Sequence, residues 1–190
     1  MPVTNLFLGF SYKSKLNCVI VYGSGACYRL KDSLPNPNVL ELVRLFSKDN
    51  APKNMESYCI SQSIKYLKEH KLDIKILVSF ADPSQGHVGY IYQATNWIYT
   101  GLTLQAGNAI YKVNGIKIHP RTLLKKYNTT SKKEALEFLK RDNPTAKIEK
   151  VKNSRKHRYI MFIGNKKENK IMRKNLKYEI LSYPKIKDII

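Results

Sequence analysis

The sequence predicts an α/β (α+β) protein, a mixed central sheet flanked by helices with a basic elaboration towards its carboxyl-terminal end. Three observations lead there. Apolar and β-branched runs of strand length alternate with stretches whose apolar residues recur at helical spacing. Residues 74–101 read strand, Gly-rich turn, short helix, strand. The cations gather late: residues 1–111 hold 11 Lys and Arg against 7 Asp and Glu, residues 112–190 hold 23 against 7. A chain of 190 residues is read as one domain, 1–190, with a core over 1–111 and the basic elaboration over 112–190.

Composition narrows the class. At 43% hydrophobic and 11% aromatic the chain is globular, not disordered. No apolar run approaches the roughly 20 residues of a membrane span, and no signal-peptide layout opens the chain. Cys18, Cys27 and Cys59 share no metal-like spacing, so no metal site is expected from them; a reduced, cytoplasmic chain with no membrane partner is. The net charge of +20 points to a polyanion, and among polyanions to nucleic acid.

In chain order, Leu6 to Ser11 and Cys18 to Val21 form a hairpin across a polar turn. Residues 26–37, with Pro35 and Pro37, are an irregular loop. The run Val39 to Phe46 is nearly continuously apolar, as in a central strand. Asp49 and Asn50 are cap candidates before Pro52, and Met55, Cys59, Ile60, Ile64 and Leu67 share one face of a helix ending near Lys71. Ile74 to Val78 is a buried strand that Asp82-Pro83 stops. Gly86 and Gly89 allow a tight turn, Val88 to Thr95 a helix of about two turns, and Trp97 to Tyr99 a further strand. Asn114-Gly115 is a hairpin turn between Ala109 to Val113 and Ile116 to Ile118. Ser131 and Glu134 mark the start of a helix through about Lys140, Lys156 to Ile163 is a strand, and Lys166 onwards a weakly helical tail. The basic half is read as an elaboration of the same sheet.

This layout sets Asp82, the amides of the glycine turn and the Tyr92 hydroxyl together at the carboxyl end of a strand, where open α/β sheets bind ligands. Asp82 either orients or deprotonates an amine or forms the turn before Pro83. Tyr92 is either functional or a core aromatic, and Ser57 either holds a ligand or caps its own backbone. His87 is a base candidate near neutral pH. Glu41 and Arg44, at i and i+3 of one strand, are expected on opposite faces, with Glu41 towards the site. Trp97 and Tyr99 either stack on an extruded base or fill the core.

The succession strand, loop, amphipathic helix, strand, Tyr-bearing helix resembles the core of GNAT-type acyltransferases. In that fold the helix amino terminus cradles the pyrophosphate of an acyl donor, and the tyrosine at the position of Tyr92 acts as general acid. Glu41-Leu42-Val43-Arg44, Ala51 to Ser57, Val78-Ser79-Phe80-Ala81-Asp82, Gly86 to Gly101 and His157 to Met161 resemble the Mom family of phage DNA-modification proteins, over about residues 6–163. That resemblance implies double-stranded DNA as substrate, carbamoylmethyl-type modification of adenine N6 that protects phage DNA from restriction, and functional positions at Ser57, Asp82 and Tyr92. For a phage-encoded chain the location is the host cytoplasm.

Substrate- or donor-binding candidates are Glu41, Lys53, Asn54, Gly86, His87 and Gly89. Lys53 to Tyr58 contains no glycine and includes Glu56, which repels a pyrophosphate, so the expected donor is an acyl or aminoacyl species other than ordinary acetyl-CoA. Iron is implied by the family resemblance alone. The family's amino-terminal His-Tyr element is not seen, since the chain opens on the hairpin. Phosphate contacts are assigned by charge density to Arg121, Lys125, Lys126, Lys132, Lys133, Arg155, Lys156 and Arg158. Two other readings stay open: a GNAT-like transferase for a protein, tRNA or small-molecule amine, and a non-catalytic nucleic-acid-binding relic. No oligomeric state is specified.

Overall fold

The computed structural model describes residues 4–24, 30, 32–71, 73–104 and 109–186. The chain divides into two compact units, residues 1–103 with 156–190, and residues 104–155.

The first unit is built on a six-stranded sheet of order β1-β2-β3-β4-β9-β5. Its strands are β1 (Thr4–Tyr12), β2 (Lys15–Gly23), β3 (Val39–Ser47), β4 (Ile76–Ala81), β5 (Ile98–Leu102) and β9 (His157–Phe162). The hairpin and the central position of the third strand are as expected. Much of the 26–37 loop, with Cys27, lies outside the described residues.

Within this sheet, β3 and β4 are parallel, while β4 and β5 both pair antiparallel with β9. The parallel contact is short: Val39, Leu40 and Glu41 lie alongside Ile76, Leu77 and Val78. Beyond Glu41 and Val78 the two strands part, β3 staying with β2 and β4 with β9.

A bulge in β3 marks the same place. Val21 pairs with Arg44 but Tyr22 pairs with Leu42, so Val43 is an extra residue on β3. The extra residue reverses the alternation. Leu40 and Leu42 enter the main core before it and Leu45 after it. Glu41 and Arg44 therefore share the face opposite those leucines, against the expectation from simple alternation.

Helices α1 (Met55–His70) and α2 (Tyr90–Ala94) cover one face of the sheet. Met55, Cys59, Ile60 and Leu67 of α1 pack there against Cys18, Ile20, Tyr22, Leu77 and Trp97. On the other face Ile76, Val78 and Ile160 pack with Met172 of α5 (Lys166–Lys174). The tail is a firmer helix than its composition predicts because Asn165 and Glu168 form a complete capping box. A mixed sheet flanked by helices is thus the observed fold, as the sequence indicates.

Three helix details differ from expectation. The cap of α1 is Asn54, in the left-handed conformation at φ 63°, not Asp49 or Asn50. The second helix starts at Tyr90, two residues late, after Gly89 at φ 81°. A single 3-10 turn, Pro83–Gln85, fills the space between Asp82 and Gly86.

The second unit has its own three-stranded sheet of order β7-β6-β8, so its strands do not extend the first sheet. These are β6 (Ala109–Val113), β7 (Ile116–Ile118) and β8 (Ile148–Lys152). The β6–β7 turn uses Asn114 and Gly115 at φ 48° and 84°, as the hairpin signal requires. Helices α3 (Pro120–Lys126) and α4 (Lys132–Asp142) bury Leu123, Ala135 and Leu139 with Tyr111, Val113, Ile118 and Ile148. Ser131 caps α4 by accepting the Glu134 amide hydrogen.

Candidate functional site

The parting of β3 and β4 leaves the Leu42 carbonyl without a strand partner on the β4 side, and a side chain from β4 supplies one. Ser79 Oγ lies 2.9 Å from that carbonyl oxygen and 2.7 Å from the phenol oxygen of Tyr92. Tyr92 is brought there by α2, whose left-handed cap at Gly89 turns the chain back over the sheet. A Cβ at position 89 would stand 2.5 Å from Cε2 of Tyr159, so only glycine fits between Tyr92 and Tyr159. The role of Gly89 is this close approach, whereas the exposed Gly86 has open space around it.

Four tyrosines line this face of the sheet, and each hydroxyl is held. Tyr22 and Ser63 are 2.7 Å apart, with Ser63 donating onward to Ile60 O. Tyr159 donates to Val88 O and accepts from Gln93 Nε2. Tyr99 meets Nδ1 of the buried His157 at 2.8 Å. Tyr92 is tilted against both Trp97 and Tyr159, with ring centroids 5.2 and 5.1 Å away. Trp97 and Tyr99 are therefore core residues, which settles the choice between stacking on a base and packing.

Burial raises the pKa of Tyr92 above the usual tyrosine value; the Ser79 hydroxyl opposes that rise, and the carboxylates of Glu41 and Glu56 add to it. The phenol is consequently protonated at neutral pH and equipped to donate a proton. Burial likewise pushes Tyr159 up to about 12 and lowers His157, which stays neutral. Glu41, expected towards the site, instead faces away from the core that holds Tyr92 and reaches the phenol only through its charge.

The other sequence candidates fall elsewhere. Asp82 continues the even-numbered series of β4, whose Ile76 and Val78 pack in the second core, whereas Tyr92 packs in the first. Its carboxylate accepts the Ser84 amide hydrogen at 3.0 Å and so caps the 3-10 turn. Ser57 donates to Asn54 O at 2.9 Å in the first turn of α1, and also lines a cleft of about 510 Å³ with Asn54, Tyr58, Asn96 and Met161. Lys53 and Asn54 border a neighbouring hollow with Ser11, Tyr12 and Met55. Asn54 makes the left-handed entry to α1 that glycine would otherwise make, and Glu56 follows it in the first turn. His87 is exposed.

Among the cations, Arg158 requires a correction. It is 7% exposed, its guanidinium donates to Thr100 Oγ1 and Thr100 O at 2.8 Å, and it stacks on Tyr178. Alternation along β9 puts it on the face of Ile160, in the core that Tyr178 covers, so it is structural and not a phosphate contact. Arg121, Lys125, Lys126, Lys132, Lys133, Arg155 and Lys156 are at the surface.

The residue that sequence reasoning passed over is Ser79. Its signal was present: it is the one polar residue of β4, Ile-Leu-Val-Ser-Phe-Ala, and a buried hydroxyl must find a partner. Among the described residues no group of three or more His, Cys, Asp and Glu side chains is placed to hold a metal ion.

Fold and site together define a mixed α/β protein with a protonated tyrosine buried where its parallel strand pair opens. The chain belongs to the Mom protein family, which it matches over residues 1–185. It is 28% identical over 150 residues to "Methylcarbamoylase mom" of Escherichia phage Mu, covering 79% of this chain and 58% of that protein. The chain therefore spans somewhat more than half the length of that relative. A crystal structure of an N-acetyltransferase from Staphylococcus aureus Mu50 superposes with a TM-score of 0.45 at 11% identity, covering 83% of this chain and 67% of the other. No helix among the described residues is long and apolar enough to cross a membrane.

Proposed function

We propose that this protein is a GNAT-like transferase of the Mom type, which places a carbamoylmethyl-type group on adenine N6 of double-stranded phage DNA and so protects it from restriction. The observation that carries the reading is the Tyr92 phenol, buried at the opening between β3 and β4 and kept protonated, in a chain of the Mom family. A transfer to an amine needs a proton delivered to the departing part of the donor, and a buried phenol suits that task. Glu41, on the opposite face of β3, acts on Tyr92 through its charge alone and is assigned no proton-transfer step. Ser57 serves as a positioning group at the first turn of α1, where it lines the cleft, while Asp82 shapes the turn that carries His87 by capping Pro83–Gln85.

The donor is an acyl or aminoacyl species held towards Lys53, Asn54 and Ser57. Glu56 in that helical turn disfavours the pyrophosphate of ordinary acetyl-CoA. Adenine N6 is occupied in base pairing, so the base is extruded before reaction. Duplex phosphates are held by Arg121, Lys125, Lys126, Lys132, Lys133, Arg155 and Lys156.

Mass spectrometry of nucleosides from cells expressing the protein tests this. Modified deoxyadenosine that disappears with Tyr92→Phe is the expected result. Unmodified deoxyadenosine in the presence of folded protein would overturn it and favour a transferase for another amine, or a binding relic in which Asp82→Asn and Tyr92→Phe change nothing.

A further inference from the structure

Ser79 is 1% exposed and stands one residue past Val78, the last β4 residue alongside β3. Its oxygen is within hydrogen-bond distance of two others, Leu42 O and Tyr92 Oη. A serine carries one proton, and a carbonyl can only accept. Two arrangements follow. In one, Ser79 donates to Leu42 O and the phenol donates to Ser79. In the other, Ser79 donates to the phenol oxygen and the phenol proton is free to leave.

We infer that Ser79 is a positioning residue that holds Tyr92 as the proton donor of the transfer step and then stabilises the phenolate it becomes. This rests on the reading of Tyr92 as the general acid. In the step, the Tyr92 O–H bond breaks and its proton bonds to the departing atom of the activated small-group donor. The electron pair remains on the phenol oxygen. Ser79 turns its proton from Leu42 O to that oxygen, and the proton shed by the attacking amine restores the phenol. Without such a donor, a phenolate buried near Glu41 and Glu56 is strongly disfavoured. A serine that merely tied β4 to β3 would need the Leu42 carbonyl and no contact with Tyr92.

The test uses the full chain with a fluorinated tyrosine at position 92, whose phenol ionises within the stable pH range, followed by fluorine NMR without substrate. Ser79→Ala is expected to move that ionisation to higher pH and Ser79→Thr to restore it. Turnover by unlabelled Ser79→Ala is expected to fall about tenfold or more in kcat, the size of one hydrogen bond to a charged oxygen, with recovery in Ser79→Thr. An unmoved ionisation in Ser79→Ala overturns the inference whatever the activity, as does a moved ionisation with full kcat. Full turnover by Tyr92→Phe overturns instead the assignment of Tyr92 as acid and takes the catalytic role of Ser79 with it, while the titration still decides whether the two hydroxyls are coupled.

Discussion

The Tyr92 hydroxyl has its surroundings set by residues far away in sequence, and its chemistry follows from them. Replacing Tyr92 by Phe removes one oxygen and leaves the packing against Trp97 and Tyr159 in place. Activity should fall about a hundredfold or more, the usual contribution of a positioned acid, with thermal stability nearly unchanged. Because its pKa is raised from 10.0, the acid form persists through neutral pH; the activity of the native chain should be lost only as pH rises beyond the ordinary tyrosine range. Stability has its own pH signature. Tyr159 holds its proton to about 12 when folded but to about 10.0 when unfolded, so its contribution is complete below pH 10 and is lost above it. His157 acts at the acid end. Its folded pKa is depressed by burial below 6.5, so the unfolded chain takes up the proton first and stability falls as pH drops below that value. Denaturation of His157→Asn followed against pH should show a flatter acid limb.

Two elements depend on backbone positions that few residues can occupy. Gly89→Ala forces a Cβ into the Tyr159 ring at a positive φ, and should cost about 2 to 3 kcal/mol in chemical denaturation. Gly86→Ala, at a similar φ with open space around it, should cost about 1 kcal/mol. Arg158 belongs to the same scale, since it ties β9 to β5 through Thr100 and carries Tyr178 of the tail on its face. Its replacement by Met should cost about 2 to 4 kcal/mol. On the proposed reading, the salt dependence of duplex binding should then stay as in the native chain, which separates Arg158 from the surface cations. The left-handed positions at Asn54, Asn96, Asn114 and Asn128 show asparagine doing turn work elsewhere done by glycine.

For the whole molecule the governing quantity is a charge of +20. If the surface cations of residues 104–155 hold phosphates, removing Arg121, Lys125, Lys126, Lys132 and Lys133 should flatten the plot of log affinity against log salt by about 0.9 for each phosphate that is no longer neutralised. Removing as many lysines from Lys13, Lys15, Lys65, Lys68 and Lys71 should leave that slope unchanged. Equilibrium binding of a duplex at several salt concentrations reads both.

Local pattern was enough for the hairpins, for the central place of β3, for the buried face of α1 and for the Asn114-Gly115 turn, because each is encoded by residues a few positions apart. It could not show that a bulge at Val43 puts Glu41 and Arg44 on one face, that Arg158 points inward, or that residues 109–152 build a separate sheet. Those depend on which strands become neighbours. The pairing of Ser79 with Tyr92 is of the same kind: it exists because β3 and β4 separate after Glu41 and Val78, an arrangement decided between segments more than thirty residues apart.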